Sequence, residues 1–352
     1  MFNKTISIIG GTGHVGLPLG LMLAGKKYRV QLIDINLKNI NYVNKGIMPF
    51  KEEKADLTLK KLVKQKKIFA SNNLELVKSS KYIIICIGTP VNNRLRPQTK
   101  NFLNFFRVLK KNLSNKSIII IRSSVYPGIS DKVYQICKLK NNNISYCPER
   151  IVQGKSLIEL PKLPQIISGF TPKSIKESQI LFSKISKKII ITSVLEAELI
   201  KLFSNSYRYI MFSISNQFFK ICHDLNIDFE KLRLNMINGY ERNSAIAKPG
   251  FTAGPCLLKD TMQLSSFYNH KFLLGHTAMD INEGIPKFII NSLEEKINLK
   301  NKTVGILGLT FKSETDDIRD SLAIKLLGIL KSKKIKTLQS DEYYKNKKNI
   351  DK

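Results

Sequence analysis

Residues 5–20, TISIIGGTGHVGLPLG, constrain this chain more than any other stretch. A short isoleucine-rich run leads into G-x-G-x-x-G, formed by Gly11, Gly13 and Gly16, and an apolar helical pattern follows at once. The spacing has a physical reason. The first glycine makes a tight turn, the second lets backbone approach a pyrophosphate, and the third lets helix pack on strand. The turn Gly11, Thr12, Gly13, His14, Val15 and Gly16 is therefore expected to cradle a dinucleotide on the exposed N–H groups of a helix start. Asp34 closes the next apolar run, 18 residues beyond Gly16, where a carboxylate can accept from the adenosine ribose hydroxyls. The same carboxylate repels a 2′-phosphate, so the expected cofactor is NAD rather than NADP, although Lys38 lies close by. The reading requires no metal.

The fold class follows from the rest of the first half. Apolar runs at 5–10, 29–34, 82–88, 117–123, 144–148 and 188–192 alternate with helical stretches. Continuous rather than alternating apolar residues predict strands covered on both faces, hence a parallel, doubly wound α/β sheet of Rossmann type. The loops after two of these runs, IGTPV and RSSVYPG, fall at strand carboxyl ends, where such sheets bind ligands. Thr89 and Ser124 are candidate cofactor contacts there; taken singly, each is also an ordinary turn hydroxyl. Three domains are expected: an NAD-binding domain at 1–194, a helical and dimerising domain at 195–298, and an incomplete α/β domain at 299–352 with a last strand near 335–340 and a frayed polar tail.

Composition excludes several classes. The chain has 352 residues and 43% hydrophobic content, with no apolar run long enough for a membrane span. The start, MFNKTISIIGG, runs directly into a strand rather than a signal peptide. Five cysteines, an odd number without framework spacing, favour a reduced cytoplasmic setting. The net charge of +31 invites a nucleic-acid reading, yet 48 of the 58 basic residues are lysine, scattered rather than gathered into a stripe with aromatics. Attraction of anionic ligands is the inference kept.

Two features of the second half carry chemistry. Lys201, Asn205 and Arg208 recur at i, i+4 and i+7 on one helical face. That pattern fits a solvated stripe, or an ammonium and an amide aimed at a developing oxyanion. In GFTAGPCLLKD, a turn-rich loop delivers Cys256 to a helix start, with Lys259 and Asp260 one turn on. Helix N-termini and nearby cations favour the thiolate. A thiol beside NAD allows two oxidations at one site: alcohol to aldehyde, capture as a thiohemiacetal, a second hydride loss to a thioester, then hydrolysis to a carboxylate.

These segments resemble, in order along nearly the whole chain, the nucleotide-sugar 6-dehydrogenases of UDP-glucose, GDP-mannose and UDP-N-acetylhexosamines. The matching stretches are GGTGHVGLPLG, GIMPF, CIGTPV, RSSVYPG, CPERIVQG, EAELIKLFSNSYR, KPGFTAGPCLLKD and ILGLTFKSETDDIRDS. The resemblance implies an NAD-dependent enzyme that oxidises a UDP-sugar for polysaccharide synthesis, and the apolar surface of the long helical stretch from 195 predicts a homodimer or larger homo-oligomer. It implies Cys256 as nucleophile, Asp260 as the carboxylate moving protons through water, and Lys201 with Asn205 at the oxyanion. Glu149 matches a glutamate of thioester hydrolysis, and Ser124 stands where threonine is common. Lys259 and Arg319 match cofactor contacts. Arg150, Arg208, Arg242, Gly250, Phe251, Phe311 and Lys312 match substrate contacts. Gln153 replaces a glutamate common in UDP-glucose enzymes, and PER with NSYR looks like the N-acetylhexosamine branch, whereas CLLKD keeps a lysine of the glucose branch. The last α/β segment is about half the family's length, which raises a non-catalytic or partner-completed sugar-nucleotide binder as an alternative. A single-step hydroxyacid dehydrogenase is another, and it needs no thiol.

Overall fold

In a computed structural model, residues 4–92 and 96–344 are described; the tail expected to fray falls largely outside them, at 345–352. The chain divides into two units, Met1–Leu202 and Phe203–Lys352.

The first unit is built on eight strands: β1 (Thr5–Ile9), β2 (Arg29–Ile33), β3 (Ile68–Ser71), β4 (Tyr82–Ile85), β5 (Ile118–Ile121), β6 (Ile144–Tyr146), β7 (Gln165–Gly169) and β8 (Ile189–Ile191). Their order is β3-β2-β1-β4-β5-β6-β7-β8. Seven helices connect them: α1 (Gly16–Gly25), α2 (Leu37–Asn44), α3 (Ala55–Lys64), α4 (Thr99–Leu109), α5 (Ile129–Cys137), α6 (Ser156–Glu159) and α7 (Pro172–Phe182). Side chains alternate between faces along each strand. Ile6, Ile8, Ile84 and Ile120 pack with Leu17, Leu19 and Leu181 on one face. Ile9, Ile83, Ile85 and Ile119 pack with Phe102, Phe106 and Val133 on the other. The isoleucine runs are thus explained by two hydrophobic layers, each fully buried side chain contributing about 1.5–3 kcal/mol over its exposed state.

Two details differ from the sequence reading. The β6–β7 pairing is antiparallel, so the sheet is mainly rather than wholly parallel. The run at 188–192 is an edge strand, with Ile190 and Ile191 exposed rather than covered. Strands β3 and β7 went unread because IFAS and QIISG are short and lack a long apolar run. The turn that matters most lies between β1 and α1, at the point where strand order reverses from β1 toward β2 on one side and β4 on the other.

Helix α8 (Val194–Asp224) spans the boundary between the units. The second unit continues with α9 (Phe229–Ile237), α10 (Leu257–Phe267) and α11 (Leu273–Lys296). It ends in a β-α-β unit of β9 (Thr303–Leu307), α12 (Leu322–Ser332) and β10 (Lys336–Ser340), the two strands pairing in parallel. Ile306, Leu309, Leu326 and Leu330 pack there with Ile290 of α11 and with Phe251. Among the described residues, no helix is long and apolar enough to cross a membrane.

Candidate active site

The glycine turn has the shape its sequence requires. Gly10 and Gly11 both donate main-chain N–H groups to the Ile33 carbonyl, at 2.9 and 3.2 Å. A Cβ on Gly11 would stand 2.5 Å from the Ile8 carbonyl oxygen, and one on Gly16 would stand 2.4 Å from that of Gly10. At Gly13 the nearest atom would be 3.4 Å away, so this glycine leaves open space rather than relieving a clash. Gly10 was not singled out from sequence, yet its φ of +74° and close approach to the Cys86 carbonyl make it as necessary as the other three. Asp34 fixes the turn, accepting from the main-chain N–H groups of Thr12 at 2.9 Å and Asn36 at 3.1 Å. Thr12 Oγ1 is buried and has no hydrogen-bond partner among the described residues. Val15 caps α1 without a side-chain hydrogen bond, leaving the helix start to an anion. Space at Gly13, an orphaned hydroxyl and an uncapped helix start fit a dinucleotide.

The neighbouring loops are stapled together. Thr89 Oγ1 donates to the Ser124 carbonyl, and Ser123 Oγ to that of Ile87 at 2.7 Å. The two proposed cofactor loops therefore meet. The His14 ring packs tilted against Phe50, centroids 4.0 Å apart and planes at 42°, and its Nε2 lies 3.4 Å from Gln153 Nε2.

Glu149 is 7% exposed and its carboxylate is fully engaged. Oε2 accepts from Arg122 Nε at 2.9 Å, and Oε1 accepts from the N–H groups of Arg150 and Ile151 at 2.8 and 3.1 Å. Arg122, only 2% exposed, also donates to the Cys147 carbonyl and to Gln165 Oε1, and lies over the Phe182 ring. The following loop hangs on two more carboxylates. Glu159 accepts from the Val152 N–H at 2.6 Å; buried Glu52 accepts from those of Gly154 and Ser156 at 3.1 and 2.5 Å. Burial raises the Glu52 carboxyl above its ordinary value against these hydrogen bonds. Arg150 reaches the Pro164 carbonyl at 2.8 Å. Arg122 and Glu52 were not found from sequence; the only hint was a charge inside an otherwise apolar or turn-rich stretch.

The second unit holds the thiol. Cys256 is exposed at the N-cap of α10, and its carbonyl accepts from the Asp260 N–H at 2.9 Å. The Asp260 side chain is fully buried: Oδ2 accepts from Asn205 Nδ2 at 2.6 Å and Oδ1 pairs with Lys259 Nζ at 3.0 Å. Asn205, Asp260, Lys259 and Cys256 thus lie in one local cluster, 55 residues of chain separating the hydrogen-bonded pair. Lys201, one turn before Asn205 on α8, is also buried, whereas Arg208 is exposed, so the three do not form a uniformly solvated stripe. Arg319 chelates Asp317 through Nε at 2.9 and 3.0 Å, and those bonds raise its guanidinium. Gly254 sits against the Phe311 ring, where a Cβ would come within 2.5 Å, and its N–H reaches the Asp320 carbonyl at 3.4 Å. Lys312 Nζ lies 6.0 Å from that ring's centroid. Gly250 is exposed and Phe251 half-buried, while Arg242 is exposed on a short 3-10 turn.

Comparison with known proteins adds independent support. Three models of the UDP-glucose/GDP-mannose dehydrogenase family match: its NAD binding domain over residues 4–186, its central domain over 195–284 and its UDP binding domain over 305–352. A UDP-N-acetyl-D-mannosamine dehydrogenase of Pyrococcus horikoshii is 29% identical over 338 residues, covering 92% of this chain and 80% of that protein. The solved UDP-D-ManNAc dehydrogenase of the same organism superposes with a TM-score of 0.89 at 27% identity, covering 97% and 84% of the two chains. A UDP-N-acetyl-mannosamine dehydrogenase of Staphylococcus aureus superposes with a TM-score of 0.86 at 25% identity, covering 99% and 84%.

Proposed function

The chain belongs to the UDP-glucose/GDP-mannose dehydrogenase family and is an NAD-dependent UDP-sugar dehydrogenase; we propose that it oxidises the C6 alcohol of a UDP-N-acetylhexosamine to the carboxylate through a thioester on Cys256. The observation that carries this reading is the exposed thiol at the start of α10, one turn from a buried Asn205–Asp260 pair. The substrate class is supported by relatives named for UDP-N-acetylmannosamine.

The Gly11–Gly16 turn with Asp34, Thr89 and Ser124 would hold NAD, which would supply the hydride acceptor for both oxidations. The C6 hydroxyl loses a proton and a hydride to give an aldehyde. Cys256 Sγ adds to its carbon, forming a C–S bond and leaving negative charge on oxygen. Lys201 Nζ and the second N–H of Asn205 Nδ2 steady that charge, and Lys259 and Arg319 add positive potential. Loss of the second hydride leaves the thioester. Water then attacks, the C–S bond breaks, and Asp260 takes the proton of the attacking water. Glu149, held by Arg122, orients the loop bearing Arg150 at this hydrolysis step. One alcohol and one water thus give a carboxylate, two reduced nicotinamides and three protons. Gly250, Phe251, Phe311 and Lys312 bind the nucleotide-sugar; Arg208 and Arg242 are exposed cations suited to its phosphates.

The test is NADH formed per UDP-sugar consumed, with UDP-N-acetylmannosamine, UDP-N-acetylglucosamine and UDP-glucose in parallel. About two NADH per sugar, reached with an N-acetylated substrate and lost in Cys256→Ala, is expected. One NADH per sugar, or unchanged turnover in Cys256→Ala, overturns the thioester route. Phe203, Tyr207, Ile214, Phe218 and Ile221 form an exposed apolar stripe along α8, with Leu225 just past its end. A second copy of the chain covering it accounts for the stripe, and a monomeric mass in solution would oppose that assignment. A UDP-uronate product and NAD chemistry fit a cytoplasmic enzyme that feeds polysaccharide synthesis.

A further inference from the structure

We infer that Asn216 is a positioning residue for the sugar-nucleotide loop, holding Gly250 in a backbone conformation that the loop cannot keep alone. This rests on the reading of Gly250, Phe251 and Cys256 as parts of the substrate site.

Asn216 lies on α8 and is fully buried. Its Oδ1 accepts from the Gly250 N–H at 2.8 Å, while its Nδ2 donates to the Gly250 carbonyl at 3.1 Å. One side chain therefore takes both polar groups of a single residue. The second Nδ2 hydrogen goes to Asn282 Oδ1 of α11 at 2.8 Å, and Asn282 Nδ2 donates to the Tyr209 carbonyl at 3.0 Å. Amide oxygens and nitrogens are often interchangeable in such networks, but here they are not. The Gly250 N–H only donates, and the Gly250 and Tyr209 carbonyls only accept. Each amide has a single orientation that satisfies the whole chain of bonds.

Gly250 explains why a clamp is needed. Its φ is +145°, a region L side chains rarely adopt, yet a Cβ there would meet nothing within 4 Å. Glycine is thus required by backbone conformation rather than by lack of space. An exposed glycine has many alternative conformations, and fixing it carries an entropic cost that the buried amide offsets. The loop is held again four residues on, where Gly254 meets Phe311 and Asp320. Between these points half-buried Phe251 packs against the core and Thr252 is buried. Cys256 follows two residues after the second anchor. Asn216 touches no reacting atom in this arrangement; it acts through Gly250.

The experiment compares Asn216→Ala, Gly250→Ala and the double variant, using deuterium exchange over residues 247–256 and steady-state kinetics with NAD and UDP-N-acetylmannosamine or UDP-glucose, whichever the wild type turns over. Exchange in this segment should accelerate at least tenfold in Asn216→Ala, with α8 amides unchanged. KM for the UDP-sugar should rise about tenfold or more in both single variants, with KM for NAD within twofold. The double variant should be no worse than the poorer single, because both act on one conformation. Equal acceleration of α8 and loop, or additive effects, would overturn the inference by reducing Asn216 to a general stabilising residue. If Asn216→Ala does not fold, Gly250→Ala alone decides: unaltered loop exchange and an unchanged KM would defeat the claim. If the wild type reduces no NAD with either sugar, the functional reading fails and the exchange result alone judges the clamp.

Discussion

Replacing Arg122 with methionine tests whether the buried ion pair behind the Glu149 loop is structural. Methionine keeps most of the apolar stem of the side chain but removes the guanidinium, and with it the cation over the Phe182 ring. Glu149, 7% exposed, would keep only the N–H groups of Arg150 and Ile151, and the Cys147 carbonyl and Gln165 Oε1 would each lose a donor. Leaving one partner of a buried pair uncompensated costs about 3–5 kcal/mol. For a unit of roughly this size each kcal/mol shifts Tm by about 2–4 °C, so the N-terminal unit should melt about 6–20 °C lower. Calorimetry reads this directly, and activity does not enter, since Glu149 has its own place in the proposed chemistry. The double variant R122M/E149M replaces the pair with apolar volume, which is often neutral. It should recover at least half of the lost Tm. A single variant melting within about 2 °C of wild type, or a double variant less stable than the single, would show that the ion pair is not what holds this loop.

Two further substitutions follow from the geometry. Gly13→Ala should leave Tm nearly unchanged yet raise KM for NAD about tenfold or more, because its Cβ meets protein only at 3.4 Å but fills the space a pyrophosphate needs. Gly16→Ala, with a Cβ 2.4 Å from the Gly10 carbonyl oxygen, should destabilise the unit itself; equal behaviour of the two in melting and kinetics would contradict the division. Glu198, buried, accepts from the N–H groups of Gly128 and Ser130 at 2.6 and 2.9 Å, and burial raises its carboxyl above 4.5. The folded state then holds this proton more tightly than the unfolded chain. Its contribution is full below about pH 4.5 and is lost as pH rises through the raised value. In Glu198→Gln the stability gap to wild type, from urea unfolding at several pH values, should shift against wild type as pH rises from 4.5; a shift the other way would reverse the assigned cause.

How much was legible depended on the range of each constraint. The β1 turn was readable because strand, glycines and helix start are contiguous, and steric contacts such as Gly16 against Gly10 arise within six residues of chain. Asp34 was readable because a strand of known length delivers it. The Asn205–Asp260 bond was foreseeable only through resemblance, since no local periodicity links residues 55 apart. The carboxylates were harder still. Glu52 and Glu198 each bind main-chain N–H groups of a distant loop, Glu159 binds that of Val152 nearer by, and a glutamate in sequence looks the same whether it faces water or caps backbone. Asn216 was hidden for the same reason: in SISNQFF it is one polar residue in an amphipathic helix.

The cysteines show why position rather than residue type decides chemistry here. Burial pushes the Cys137 thiol up to about 11 and the Cys147 thiol up to about 12, despite nearby cations in both cases. At neutral pH those sulfurs are small hydrophobes in the two layers of the sheet. Cys222 is buried in α8. Cys256 is placed differently: it is exposed, it opens a helix, and Arg319 lies within electrostatic reach. A thiolate needs water or positive charge to exist, and the turn-rich loop ahead of α10 supplies both by keeping the sulfur out of the core. The glycines of that loop, Gly250 and Gly254, are therefore as much a part of the reactivity of Cys256 as the charges beside it. Each holds backbone at a positive φ so that five residues of chain can pass from one anchor to the other without burying the sulfur they present.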